Sequence, residues 1–162
     1  MTLLAISEEK IGKLKGIFES LDIELDVSSF NKRLRIQKLV YMFRLHEEIK
    51  PHLDFKYNLY LRGPYSPELA YVYYHLERAS PIYIKLSSEA VEYCKEILSL
   101  NTRKLELLCT LVEVLKTNEH LFSDDEIVNF VHEFKPNYDV REIKDMLEYF
   151  KSLRSRYRLD LN

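Results

Sequence analysis

The sequence predicts a mainly α-helical (α+β) fold, a compact multi-helix domain with one short two-stranded β element. Seven segments carry apolar residues at helical spacing, and only two short segments resemble strands. Residues that favour helix N-caps precede most of the seven segments. Two short strands cannot form a sheet-based core, so helices must supply most of it. The 162 residues fit a single domain over 1–162, with a motif-bearing core over 31–86 and a helical part over 88–157.

Two helices are predicted at the start of the chain. Ser7 is a suitable N-cap for a helix over Glu8–Leu25. Gly12 and Gly16, four residues apart in this helix, either let another helix approach closely or are tolerated on the surface. The second helix is predicted over Lys32–Ile49, and its wide apolar face indicates burial on more than one side.

Strand character appears in the next part of the chain. Apolar and polar residues alternate over Asp54–Leu61, which predicts a half-buried strand. Gly63-Pro64 predicts a turn, and Ser66 is the expected cap of a third helix that ends near Arg78. Residues 82–86 resemble a second short strand. Helices with a short strand pair are the ingredients of a winged helix, which this region can resemble locally.

Four helices are predicted in the second half. The first starts at Ser87 or Ser88, and the other three starts are marked by Thr102, Ser123 and Asp139. The helix from Thr102 has the broadest apolar face and is expected at the centre of the core. The basic tail over 154–162 is expected to fray.

Composition excludes several classes of function. The chain has 24 Lys+Arg against 26 Asp+Glu, which is not typical of a strongly basic nucleic-acid binder. Gly63 is the one glycine predicted in a loop, so a glycine-rich phosphate cradle is absent. The chain has no H-E-x-x-H motif, and its two cysteines lie in separate helices, so we expect no metal site and no cofactor.

Hydropathy predicts a cytoplasmic protein that does not enter a membrane. The apolar run at the N-terminus is too short for a signal peptide and has no basic residues before it. No segment approaches the run of about 18 apolar residues that spans a bilayer.

Two segments form the densest motif of the sequence. Ile36–Tyr41 reads Ile-Gln-Lys-Leu-Val-Tyr, and Phe55–Ser66 joins a Tyr-rich strand to Gly-Pro-Tyr-Ser. This pattern resembles the YwgA-like family of uncharacterised proteins and, more loosely, the Panacea domain of antitoxins and phage-associated proteins. Relatives usually have an aromatic residue where this chain has Arg62. The YwgA-like resemblance implies no known reaction, whereas the Panacea resemblance implies neutralisation of a toxin by protein contact.

The first functional hypothesis is a non-enzymatic module that binds a protein partner or a second copy of itself. Seven of the twelve tyrosines lie between Tyr57 and Tyr83, and tyrosine is frequent at binding hot spots. The alternative is that these tyrosines only cover the rim of the core. The expected contact residues are Gln37, Lys38, Tyr41, Tyr57, Tyr60, Arg62, Gly63, Pro64, Tyr65, Ser66 and Glu68.

The second hypothesis, which we favour less, is a DNA-binding regulator that uses a basic helix over residues 32–44. This segment has five basic and no acidic residues, whereas 119–148 has nine acidic and three basic residues. The same charges can pair within the chain or match complementary surfaces of a homo-oligomer. The basic residues are Lys32, Arg33, Arg35, Lys38 and Arg44.

The third hypothesis is an enzyme that handles an anion or a nucleotide at the helix start over 63–68. Backbone N–H groups at a helix N-terminus can hold an anion. The alternative is a purely structural turn, closed by the Ser66 cap and hydrogen-bonded by the side chain of Gln37. Because the chain has no nucleophile elbow, we expect a binding protein rather than an enzyme.

Overall fold

Seven α-helices and one β-hairpin make up the described part of the chain, which confirms the mainly helical prediction. The computed structural model describes residues 3–60 and 63–162. The helices are α1 (Leu3–Ser20), α2 (Phe30–Phe43), α3 (Pro67–Tyr73), α4 (Ser88–Leu98), α5 (Thr102–Asn118), α6 (Asp124–Phe134) and α7 (Val140–Arg156). The strands are β1 (Asn58–Tyr60) and β2 (Gly63–Tyr65), and a short 3₁₀ turn (Leu76–Arg78) follows α3. None of the helices described is long and apolar enough to cross a membrane.

Side-chain caps determine where most of the helices begin. Ser66, Ser87, Ser123 and Asp139 each accept a hydrogen bond from a backbone N–H in the first turn of the next helix, as predicted. Thr102 is the first residue of α5, and the N-cap is Asn101. These contacts satisfy N–H groups that have no partner within the helix.

The ends of α1 and α2 differ from the predictions. α1 begins at Leu3, so Ser7 lies inside the helix and does not cap it. α2 ends at Phe43, and the chain continues in turns as far as residue 52. Leu45 and Ile49 are fully buried in those turns, and their apolar spacing is why the sequence predicts a longer helix.

α5 lies at the centre of the core, as its apolar face predicted. It packs against α2, α6, α7 and β2. Leu108, Leu111 and Val112 on this helix are fully buried. The hairpin therefore rests directly on the central helix through β2.

The predicted second strand is wrong. The partner of β1 is β2, which contains the Gly63-Pro64 segment where the sequence predicts a turn. The strands are antiparallel, with Asn58 opposite Tyr65 and Tyr60 opposite Gly63. Proline is tolerated in such a short edge pair, although it lacks an N–H for the ladder. Residues 82–86 form no strand in the structure as described. The backbone N–H of Ile82 instead donates to the Gly12 carbonyl at 2.9 Å, so this extended segment lies along α1.

The C-terminal tail is docked, which contradicts the expectation that it frays. α7 continues to Arg156, and Leu159 then forms a β-bridge with His46. The Asp160 N–H donates to the Leu45 carbonyl at 2.7 Å, and the side chain of Leu161 is buried. Backbone pairing and one apolar anchor hold the tail against the turns after α2.

Deletion of residues 157–162 is expected to lower the free energy of unfolding by about 2 kcal/mol, the value of one buried leucine side chain. The physical reason is the loss of the Leu161 contact and of the Asp160 hydrogen bond. Urea unfolding followed by circular dichroism measures the change. Removal of Asn162 alone, which is exposed, is the control and should leave stability unchanged. Equal stability of the deletion variant and the wild type would show that the tail is not docked in solution.

Candidate functional site

Gln37 on α2 fixes the Gly-Pro-Tyr-Ser turn through both ends of its amide. Its Nε2 donates to the Ser66 carbonyl at 2.8 Å, and the Ser66 N–H donates to its Oε1 at 2.8 Å. Both residues are fully buried. The backbone-binding role predicted as the alternative for Gln37 is therefore confirmed.

Lys38 and Gly63 bring the turn into contact with the core. The buried Lys38 ammonium donates to the Pro64 carbonyl at 2.7 Å. Gly63 has φ of 94°, which side-chain-bearing residues rarely adopt. A Cβ at this position would lie 3.1 Å from Thr110 Oγ1 and 3.3 Å from Lys38 Nζ. The turn therefore needs glycine here, for its backbone conformation and for its close contact with α2 and α5.

Two N–H groups at the start of α3, those of Ser66 and Leu69, have partners within the protein. Gln37 accepts from the Ser66 N–H, and Ser66 Oγ accepts from the Leu69 N–H at 3.1 Å. Glu68 faces outward and pairs with Lys10 of α1 at 2.8 Å. This geometry corresponds to the structural turn that was the alternative to an anion site.

A groove of about 640 Å³ opens beside this turn. It lies between the start of α2, the hairpin and the end of α3. The side chains of Phe30, Tyr60 and Tyr74 form its rim and are 48–54% exposed. Its lining residues are Phe30, Arg33, Leu34, Lys38, Tyr60, Gly63, Tyr65, Tyr73 and Tyr74. We call this feature the Tyr groove.

The rings of the Tyr groove support one another in pairs. The Tyr60 and Tyr65 rings meet edge to face with centroids 5.6 Å apart, and those of Tyr73 and Tyr74 are 5.1 Å apart. Such pairs are favourable and restrict the rotation of each ring. Burial raises the pKa of Tyr73 to about 12, so its hydroxyl stays protonated at neutral pH. The groove therefore presents a largely fixed, neutral aromatic wall.

The charge of the groove lining is positive. The Arg33 guanidinium lies 5.9 Å from the Tyr74 ring centroid, and its Nη1 donates to the Val27 carbonyl at 2.9 Å. Lys38 adds a buried positive charge at the base. No acidic side chain occurs among the described lining residues. An acidic ligand would therefore meet a favourable potential here.

Tyr41 and Tyr57, both predicted to contact a partner, lie behind the groove. The Tyr41 hydroxyl donates to Glu113 Oε2 at 2.6 Å, and its side chain is fully buried. The Arg44 guanidinium lies 4.5 Å from the Tyr41 ring and 4.7 Å from the Tyr57 ring. Burial raises the pKa of both phenols above the usual tyrosine value. Tyr41 therefore belongs to the core, and its side chain is not exposed for the contact with a partner that the sequence predicts.

The basic residues of α2 contact different parts of their own chain. Lys32 pairs with Asp26, and Arg35 donates to the Leu98 carbonyl at 2.9 Å. The Arg33 guanidinium donates a hydrogen bond to the Val27 carbonyl. The side chains of Lys38 and Arg44 are buried. α2 packs against α4, α5 and β2, so few of its side chains can face outward. The five charges do not form one open surface of the kind that phosphates would need.

Several groove residues were not among the predicted contacts, and one predicted contact cannot be described. Phe30, Leu34, Tyr73 and Tyr74 were missed, although the tyrosine-rich stretch pointed to the last two. Phe30 and Leu34 are four residues apart at the start of α2, a spacing that resembles an ordinary core stripe. Arg62 lies outside the described residues.

The chain was compared with models of known protein families, with curated proteins and with solved structures, and it matches none of them.

Proposed function

We propose that this chain is a cytoplasmic protein-interaction module and that its Tyr groove binds a short segment of a partner protein. The observation that carries the proposal is the half-exposed rim of Phe30, Tyr60 and Tyr74 around an open, mainly apolar groove. Rigid aromatic side chains lose little conformational entropy on binding and are enriched at hot spots. Gly63 and Tyr65 of the turn line the groove, and the buried hydrogen bonds of the turn hold this wall in place.

The lining favours a segment with an aromatic or large aliphatic side chain flanked by acidic residues. Ring faces and edges supply the apolar contact area. Arg33 supplies positive charge at the groove, and the described lining residues include no acidic side chain. A carboxylate next to the anchor would therefore gain from its position near Arg33.

The sequence motif is consistent with the same proposal. The likeness of Ile36–Tyr41 and Phe55–Ser66 to YwgA-like and Panacea proteins stays a prediction, and with it a toxin as one candidate partner. Binding to nucleic acid has less support, because Lys38 and Arg44 are buried. A catalytic role has less support too, because two N–H groups of this helix start, those of Ser66 and Leu69, already have partners within the protein.

Selection of a displayed random-peptide library on the immobilised protein tests the proposal. We expect enrichment of peptides with an aromatic residue near Asp or Glu. Tyr60→Ala and Tyr74→Ala should each weaken binding of a selected peptide about tenfold or more, as expected for truncation of a hot-spot residue. Fluorescence anisotropy of the labelled peptide measures the dissociation constants.

Tyr83→Ala is the matched control, because Tyr83 is 81% exposed and does not line the groove. It should bind the peptide as the wild type does. Equal binding by all three variants, or enrichment of basic peptides, would refute the proposed site.

A further inference from the structure

A second exposed apolar surface lies on α6 and on the turn before it. Leu121 and Phe122 precede the helix, and Phe130 and Phe134 lie one turn apart along it. These four side chains, which we call the α6 patch, are 40–74% exposed. Exposed apolar side chains that lie close together are a feature of protein-interaction sites.

Acidic residues accompany the α6 patch. Glu126 and Glu133 are four residues before and three residues after Phe130, so they share its side of the helix. Both are exposed, and neither forms an ion pair with a described residue. Lys135, the next basic residue, is buried and bound to Glu106 at 3.1 Å. Lys144 and Lys151 of α7 pair with Asp125 and Asp124 in the first turn of α6, so the negative charge beside the aromatic anchors is that of Glu126 and Glu133.

We propose that the Tyr groove of one copy binds the α6 patch of a second copy of this chain. The inference rests on the proposed function, because it names the occupant of the same groove. The groove is aromatic and positive, and the patch is aromatic and negative, so the two surfaces are complementary in charge. Apolar anchors one turn apart on a helix are also the form in which amphipathic helices enter grooves. Phe130 and Phe134 would seat against the rim, with Glu133 near Arg33.

A mixing experiment with two variants tests this pairing by sedimentation velocity. Tyr74→Ala damages the groove and keeps the patch, whereas Phe130→Ala/Phe134→Ala damages the patch and keeps the groove. The substituted side chains are at least 40% exposed, so both variants should fold. We expect the wild type to associate as its concentration rises, and each variant alone to associate at least tenfold more weakly. A mixture of the two variants should recover a one-to-one complex, because one supplies an intact groove and the other an intact patch.

The dependence of association on salt and a control variant test the same pairing further. Association should weaken as ionic strength rises, since charge complementarity contributes to it. Tyr83→Ala should associate like the wild type. A wild type that stays monomeric, or a mixture that associates no more than its components, would overturn the pairing.

The outcomes also separate this inference from the proposed function. If selected acidic peptides bind the groove while the wild type stays monomeric, the second copy is not the occupant and the groove remains a protein-binding site. If neither self-association nor peptide binding occurs, both proposals fail.

Discussion

Replacing Gly16 with alanine is expected to destabilise the protein by about 3 kcal/mol, the upper part of the range for overpacked positions. The added Cβ would lie 1.7 Å from the Ile82 carbonyl oxygen, a backbone atom. Residues 80–84 would have to move away from α1. That movement would break the hydrogen bonds from Ile82 N–H to Gly12 and from Ser20 Oγ to Ile84. In an unconstrained helix, replacing glycine with alanine raises the free energy of unfolding by roughly 0.5–1 kcal/mol. A loss of stability at Gly16 would therefore itself indicate a close contact at this position.

Urea unfolding of Gly16→Ala and Gly12→Ala measures this effect with a matched comparison one turn away on the same helix. At Gly12 the two nearest atoms to a new Cβ are Ile82 Cγ1 at 2.7 Å and Cδ1 at 2.8 Å, both in a side chain, and the Ser80 carbonyl oxygen lies farther away at 3.0 Å. A smaller loss of about 1 kcal/mol is expected there. A Gly16→Ala variant as stable as the wild type would contradict the close approach of residues 80–84 to α1.

Replacing Gln37 with methionine is expected to cost about 3 kcal/mol of unfolding free energy, because a buried N–H would lose its partner and a buried carbonyl would lose one of two. Methionine has nearly the length and flexibility of glutamine, so packing changes little. The Ser66 N–H would lose its 2.8 Å hydrogen bond to Gln37 Oε1, and the Ser66 carbonyl would keep only the bond from the Ala70 N–H. The turn would loosen, and with it the groove wall formed by Gly63 and Tyr65.

Two readouts check the Gln37 prediction. Urea unfolding should show the stability loss, and peptide binding to the Tyr groove should weaken in the same variant. Asn31→Ala, at an exposed position of the same helix, is the control and should change stability by less than about 0.5 kcal/mol. If Gln37→Met is as stable as the wild type, water must supply the hydrogen bonds of the lost amide. The side chain on α2 would then not be what fixes the turn.

The helices could be predicted because their signals are local. Cap residues such as Ser123 and Asp139 act within one turn, and the apolar stripes repeat at helical spacing. The strand prediction was wrong where a tertiary contact produces the same alternation of apolar and polar residues as a strand. Residues 82–86 alternate because they lie along α1, and they have no strand partner among the described residues.

The candidate site could be predicted only in part, for a similar reason. The Gln-Lys helix and the Gly-Pro-Tyr-Ser turn are visible as a motif, and the structure joins them through Gln37 and Lys38. The groove, however, depends on the start of α2 lying near the end of α3, so that Phe30 and Tyr74 line the same groove. No local sequence pattern predicts that these two helix ends lie close together. Tyr41 and Tyr60 look alike in the sequence, yet one is fully buried and the other is half exposed.

Nuclear magnetic resonance of protein with isotope-labelled tyrosine rings tests the central claim most directly. Addition of a selected acidic aromatic peptide should shift the ring signals of Tyr60, Tyr65, Tyr73 and Tyr74, which line the groove. The signal of Tyr83, which does not line it, should stay unchanged. Shifts confined to Tyr83 and other tyrosines outside the groove, with the four groove signals unmoved, would contradict the claim that the Tyr groove is the binding site.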